Sequence, residues 1–244
     1  MKPKRVEILG VPVDCVTMNQ AVEWVEARMS SDKAHGVIAV NPEKVMKASQ
    51  DPVLLKQLQT TSLLIPDGIG VVFAIRLGGL GKAHRVPGAE LMPKLCERAA
   101  LKGYKIFLFG ASPEVNEGTT ITLRAQYPAL NIVGARHGYI QEADMPVLIK
   151  DINASQADLL FLALGSPKQE LWMSKYLPRL HVKVCQGVGG TFDVIAGRVK
   201  RAPAIFRTMH LEWFYRLLAQ PSRILRQTAL LLFALQVLRK RMLG

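Results

Sequence analysis

Short aliphatic runs that recur between helical stretches constrain this chain more than any other feature. They are VIAV (37–40), SLLIP (62–66), KIFLFG (105–110), NIVGARHGYI (131–140), DLLFLALG (158–165) and VKVCQGVGG (182–190). Most are apolar at consecutive positions, which suits strands covered on both faces. Between them lie segments of about 10–15 residues with helical periodicity, the spacing of βα units. Their ends carry helix signals: Thr17 and Gln20 have the spacing of a capping box, Pro42 stands in a first turn, and Gly103 follows a last turn. The N-terminal VEILGVPVDCV reads as one or two short strands broken at Gly10 and Pro12. The alternation predicts an α/β fold, a doubly wound, mostly parallel, Rossmann-like sheet with helices on both faces.

In such sheets ligands bind beyond the carboxyl ends of the strands, so the loops that follow the strands are the candidate site. These are Ala39–Pro42, Pro66–Gly68, Gly110–Ser112, Gly165–Gln169 and Gly187–Thr191. GASPE and GSPKQE place Gly, Ser and Pro just before a helix, where free N–H groups and the helix dipole receive a phosphate or where ordinary capping occurs. None of the loops matches GxGxxG or GxxxxGK[ST], so a dinucleotide fingerprint or a P-loop is poorly supported. Asp67, in LLIPDGIGVVF, has two readings: N-cap of the helix that follows, or a general base at the mouth of a cleft. Gly68 and Gly70 beside it would let backbone approach a ligand. Asp193 is a weaker base candidate, since the apolar residues after it suggest a helix start that it caps. Arg85, before a Pro-Gly helix start, is either a phosphate-binding guanidinium or a surface arginine.

Charge adds a second constraint. Of the net +13, nine charges lie in residues 195–244, where ten Lys and Arg face the single acid Glu212. That tail interleaves Trp213, Phe214, Tyr215 and leucines with Arg216, Arg223 and Arg226, and its longest uncharged run, Gln227 to Leu238, is too short to span a bilayer. It suits a helix lying on an anionic leaflet, and a helical hairpin packed on its own domain fits part of it. Residues 1–195 are read as the catalytic core and 196–244 as a helical appendage. Cys15, Cys96 and Cys185 are far apart among aliphatics and read as reduced core thiols of a cytosolic protein. The histidines show no metal spacing, and Glu7 and Asp14 interrupt the run a signal peptide would need.

Motifs in one order, ILGVPVDCVT, NPEKV, LLIPDGIGVV, RVPGAEL, FLFGASPEV, ALGSPKQELW and GVGGTFDVIAGRVKRAP, resemble the WecG/TagA/CpsF glycosyltransferases, glycosyltransferase family 26. The resemblance covers about the first 200 residues, and LEWFYRLLAQPSRILRQ is similar to the family's C-terminal appendage. It implies an inverting hexosyltransferase that moves an N-acetylmannosamine-type sugar from a UDP donor to the 4-hydroxyl of N-acetylglucosamine on undecaprenyl diphosphate. Such enzymes serve wall teichoic acid, enterobacterial common antigen, capsule or exopolysaccharide synthesis. By position, Asp67 matches the catalytic base, and Asn41, Arg85 and Gln169 match pocket residues. Arg216, Arg223 and Arg226 match tail arginines that reach the acceptor diphosphate. One departure stands out: the family often has a catalytic threonine two residues before NPE, where this chain has Ala39.

On this reading UDP sits on the glycine-rich strand ends, with Gly110, Ser112, Gly189 and Gly190 among its contacts. No DxD pair is present to hold a metal, so no cofactor is expected, and arginines and helix N-termini would stabilise the departing diphosphate. The tail docks on the cytoplasmic membrane leaflet, which makes the protein peripheral. Two rival classes explain only parts: a basic nucleic-acid-binding protein leaves the strand-end loops idle, and a nicotinamide-dependent oxidoreductase lacks its fingerprint. No nucleic-acid partner is therefore expected; the oligomeric state is left open, a homo-oligomer included.

Overall fold

The computed structural model describes residues 2–199, 203, 206, 215 and 224–243. Two strands, β1 (Lys4–Ile8) and β2 (Val11–Cys15), form an antiparallel hairpin. Leu9 and Gly10 turn it with positive φ, and Pro12 lies within β2, where the sequence alone suggested a break. The capping box forms as expected at α1 (Met18–Glu26), Thr17 and Gln20 exchanging backbone and side-chain hydrogen bonds.

Then βα units follow: β3 (His35–Val40), α2 (Pro42–Ala48), α3 (Pro52–Thr60), β4 (Leu63–Pro66), α4 (Ile69–Leu77) and α5 (Gly88–Lys102). The second half runs through β5 (Lys105–Gly110), α6 (Pro113–Gln126), β6 (Asn131–Arg136), α7 (Met145–Ala154), β7 (Leu159–Ala163), α8 (Lys168–Tyr176), β8 (Val184–Gly187) and α9 (Thr191–Ile195). A last helix, α10, spans Ile224–Leu243.

Six strands form one all-parallel sheet in the order β4-β3-β8-β7-β5-β6. The period of two divides each strand between two cores. Ile38, Val40, Leu64, Phe109, Leu160 and Cys185 meet α2, α3, α4, α7, α8 and α10. Val37, Leu63, Ile65, Leu108, Phe161 and Val184 meet α1, α5, α6 and α9. Burial on both faces is why the runs read as continuous hydrophobics. It also pushes the Cys96 thiol up to about 12 and raises that of Cys185, so both stay protonated, as core thiols should.

From β3 the chain passes outward to β4 at one edge, crosses to β5 and β6 at the other, and returns through β7 to β8, which lands beside β3. Helix α2 leaves β3 on one face and α9 leaves β8 on the other, which makes β3/β8 the switch point, the place where such sheets bind ligands.

The hairpin is fastened to the β4 edge by one buried acid. Asp14, 1% exposed, takes two hydrogen bonds of 2.8 Å from Arg5 and one of 2.8 Å from the Leu64 backbone N–H. Arg5 also donates to the carbonyls of Thr61 and Ser62. Replacing Asp14 with Ala strands that N–H and the guanidinium, so urea unfolding should show a loss of about 2–3 kcal/mol.

Candidate active site

The loops after β3 and β4 are locked together. The Asp67 backbone N–H donates to the Val40 carbonyl at 2.8 Å, and the Val86 N–H donates to the Pro66 carbonyl at 2.8 Å, which brings the Arg85 segment alongside. Asn41 is the N-cap of α2, its Oδ1 accepting from the Lys44 N–H at 2.8 Å. Arg85 is mostly buried and pairs with Glu90 of the first turn of α5 at 2.9 Å, so it is no bare surface arginine. The structure thus assembles Asn41, Asp67 and Arg85 at one end of the sheet.

The capping alternative for Asp67 does not hold. The N-cap of α4 is Gly68, at φ 95°, and not Asp67. Asp67 precedes the cap and stays half-buried at the strand end. Gly70 has a packing duty: a Cβ there would stand 2.9 Å from Pro42 Cγ and 3.8 Å from Phe233 of α10. The PDGIG and NPE motifs are therefore two sides of one contact.

On the β5 and β7 side much of the glycine-rich chemistry is internal. A Cβ on Gly110 would lie 2.4 Å from the Ala163 carbonyl oxygen, so that glycine lets β5 and β7 pack. Ser112 is the N-cap of α6, accepting from the Val115 N–H at 3.3 Å. Asn116 donates to the carbonyls of Gly110 and Arg136, both at 3.0 Å. Gln169 is buried, its Oε1 accepting from the Gly189 N–H at 3.1 Å and its Nε2 donating to Glu170 at 3.2 Å. Gly190 is the N-cap of α9, and Asp193 lies inside that helix's first turn rather than capping it as the sequence suggested.

Sequence reasoning missed Lys44 and Glu170, which form a buried ion pair between α2 and α8. The signal was present in α2, where Lys44 falls among the buried Pro42, Val45, Met46 and Ala48. Gln186 was also missed. It is 1% exposed, its Nε2 donates to the Gly88 carbonyl at 3.2 Å, and its Oε1 has no partner among the described residues. Ala39 Cβ stands 3.4 Å from where a Gly88 Cβ would be, so the position that lacks the hydroxyl packs on the start of α5.

Arg216 and Arg223 lie outside the described residues, and Arg226 falls in α10 with its side chain outside them. Helix α10 returns to the site: Phe233, 4% exposed, packs against α4, and Arg241 donates to the Leu77 carbonyl at 2.8 Å. Leu231, Leu232, Leu235 and Leu238 face outward from it. Among the described residues no helix is long and apolar enough to cross a membrane, and no three of His, Cys, Asp or Glu cluster as metal ligands.

A parallel sheet with a switch point, a strand-end carboxylate and helix N-termini gathered at one edge make an α/β ligand site, and the chain belongs to the glycosyl transferase WecG/TagA/CpsF family, whose model matches residues 6–244. Among curated relatives it is similar to the N-acetylglucosaminyldiphosphoundecaprenol N-acetyl-beta-D-mannosaminyltransferase of Staphylococcus aureus (strain MRSA252). The two are 36% identical over 235 residues, 96% of this chain and 92% of the relative. Membership accounts for the strand-end loops, which the nucleic-acid reading leaves idle, and asks for no dinucleotide fingerprint, which the nicotinamide reading needs.

Proposed function

We propose that this glycosyltransferase moves N-acetylmannosamine, or a closely related sugar, from UDP to the 4-hydroxyl of N-acetylglucosamine on undecaprenyl diphosphate, with inversion, in teichoic acid or surface-polysaccharide assembly. The printed activity of the staphylococcal relative supports the sugar and the acceptor. The observation that carries the chemistry is Asp67, half-buried at the end of β4, not serving as the helix cap, and joined through backbone bonds to the Asn41 and Arg85 loops.

The acceptor hydroxyl oxygen attacks the anomeric carbon in line as the bond to the UDP phosphate oxygen breaks. Asp67 takes the hydroxyl proton and UDP leaves as the anion. The start of α5, a 15-residue helix with no side-chain cap, directs its dipole to that edge, and Arg85 precedes it. Together they would offset the charge gathering on the diphosphate. Gln169, Gly189 and Gly190 shape the opposite wall. Arg216, Arg223 and Arg226 would reach the acceptor diphosphate from the tail, whose outward leucines and Arg239, Lys240 and Arg241 suit the anionic cytoplasmic leaflet.

The test is product analysis with a short-chain lipid diphosphate N-acetylglucosamine and a panel of UDP sugars. A β-linked disaccharide formed from UDP-N-acetylmannosamine, at the same rate in EDTA, is the expected result. Activity lost in EDTA and restored by manganese would overturn the metal-independent mechanism, and transfer from no UDP sugar would overturn the assignment.

A further inference from the structure

One buried polar chain links α2, α8 and the loop after β8. Lys44 Nζ donates to Glu170 Oε1, the same oxygen accepts from Gln169 Nε2 at 3.2 Å, and Gln169 Oε1 accepts from the Gly189 N–H at 3.1 Å. Lys44 is 6% exposed and Glu170 1%. At the other end, the Lys44 backbone N–H donates to Asn41 Oδ1. The chain therefore runs from the loop after β3 to the loop after β8, the two strands that flank the switch point.

As a device for stability this pair is poor. Glu170 Oε2 is buried and has no partner among the described residues, so desolvation of the carboxylate is incompletely repaid. A well-packed apolar pair of similar volume commonly serves stability as well or better. An apolar pair cannot, however, hold an amide in one orientation. Glu170 fixes the Nε2 end of Gln169, which turns Oε1 toward Gly189. Gly187 leaves the room, since a Cβ there would lie 2.9 Å from Gln169 Nε2.

We propose that Lys44 and Glu170 are positioning residues that keep the Asn41 loop and the 187–191 loop in fixed register across the sugar-nucleotide cleft. The location of the cleft rests on the glycosyl-transfer reading; the register itself does not.

The experiment compares the full chain with Glu170→Asp and with the double variant Lys44→Met plus Glu170→Met, by amide hydrogen exchange, thermal midpoint and steady-state kinetics with the UDP donor. The double variant is expected to keep a thermal midpoint near that of the parent because both buried charges are removed together, whereas Glu170→Asp, which keeps the charges but draws the carboxylate back from its partners, is expected to lower it. Amides of 187–191 are expected to exchange about tenfold faster while the rest of the sheet is unchanged. The ratio kcat/KM is expected to fall about 100-fold, chiefly in kcat, the size of effect that small misplacements produce. Parent-like exchange at 187–191 in whichever variant folds overturns the proposal, as does full turnover in that variant. If the parent transfers no sugar from UDP, the glycosyl-transfer reading falls, and the exchange measurement still decides the register.

Discussion

Asp67→Asn is expected to lower kcat by about 10²–10⁴-fold, the range a positioned general base supplies, with little change in KM for the UDP donor. The amide keeps the size of the carboxylate but cannot take the proton. The backbone bond from residue 67 to the Val40 carbonyl is independent of the side chain, and α4 is capped at Gly68, so the fold should tolerate the change. Thermal unfolding within a few degrees of the parent, combined with the kinetic loss, separates chemistry from structure. A variant with parental kcat would remove Asp67 from the mechanism.

The second large effect concerns the outward face of α10. Leu231→Glu with Leu235→Glu should weaken binding to anionic vesicles by at least about 100-fold, since two leucines withdrawn from apolar contact amount to about 3 kcal/mol or more. Added negative charge beside an anionic surface acts in the same direction. Both side chains are exposed, whereas Phe233 on the opposite side is buried and untouched, so folding is preserved. Deleting residues 196–244 is a poorer experiment, because it also strips Phe233 from the core and uncovers Gly70. Sedimentation with vesicles across a salt series is the measurement, and unchanged binding by the double variant would refute leaflet docking through this face.

Which features the sequence disclosed depended on the range over which each is determined. Strands buried on both faces announce themselves locally, and so do caps such as Thr17 and Ser112, whose partners lie three residues away. The strand-end loops followed from those elements plus one topological rule, which is how Asp67 came into view; within those loops Asn41 and Gln169 were singled out by the family resemblance. What stayed hidden depends on partners far along the chain. Lys44 and Glu170 are 126 positions apart, and nothing near either residue reveals the other. The glycines were half read: Gly70 and Gly110 looked like places for a ligand, but each makes room for another part of the chain, Pro42 and the Ala163 carbonyl respectively. Pro12 looked like a break and is tolerated inside β2, in a hairpin that forms its own two-stranded sheet.

The fastening of that hairpin bears on assembly. With the Leu64 N–H spent on Asp14, and the Thr61 and Ser62 carbonyls on Arg5, backbone groups that an incoming strand would need along β4 are already engaged. Strand addition from a second copy is thereby disfavoured on that side, and among the described residues the sheet's other margin is β6. Any dimer built by extending this sheet would have to join there, away from the switch point, while a dimer built on helices would leave both margins as they stand.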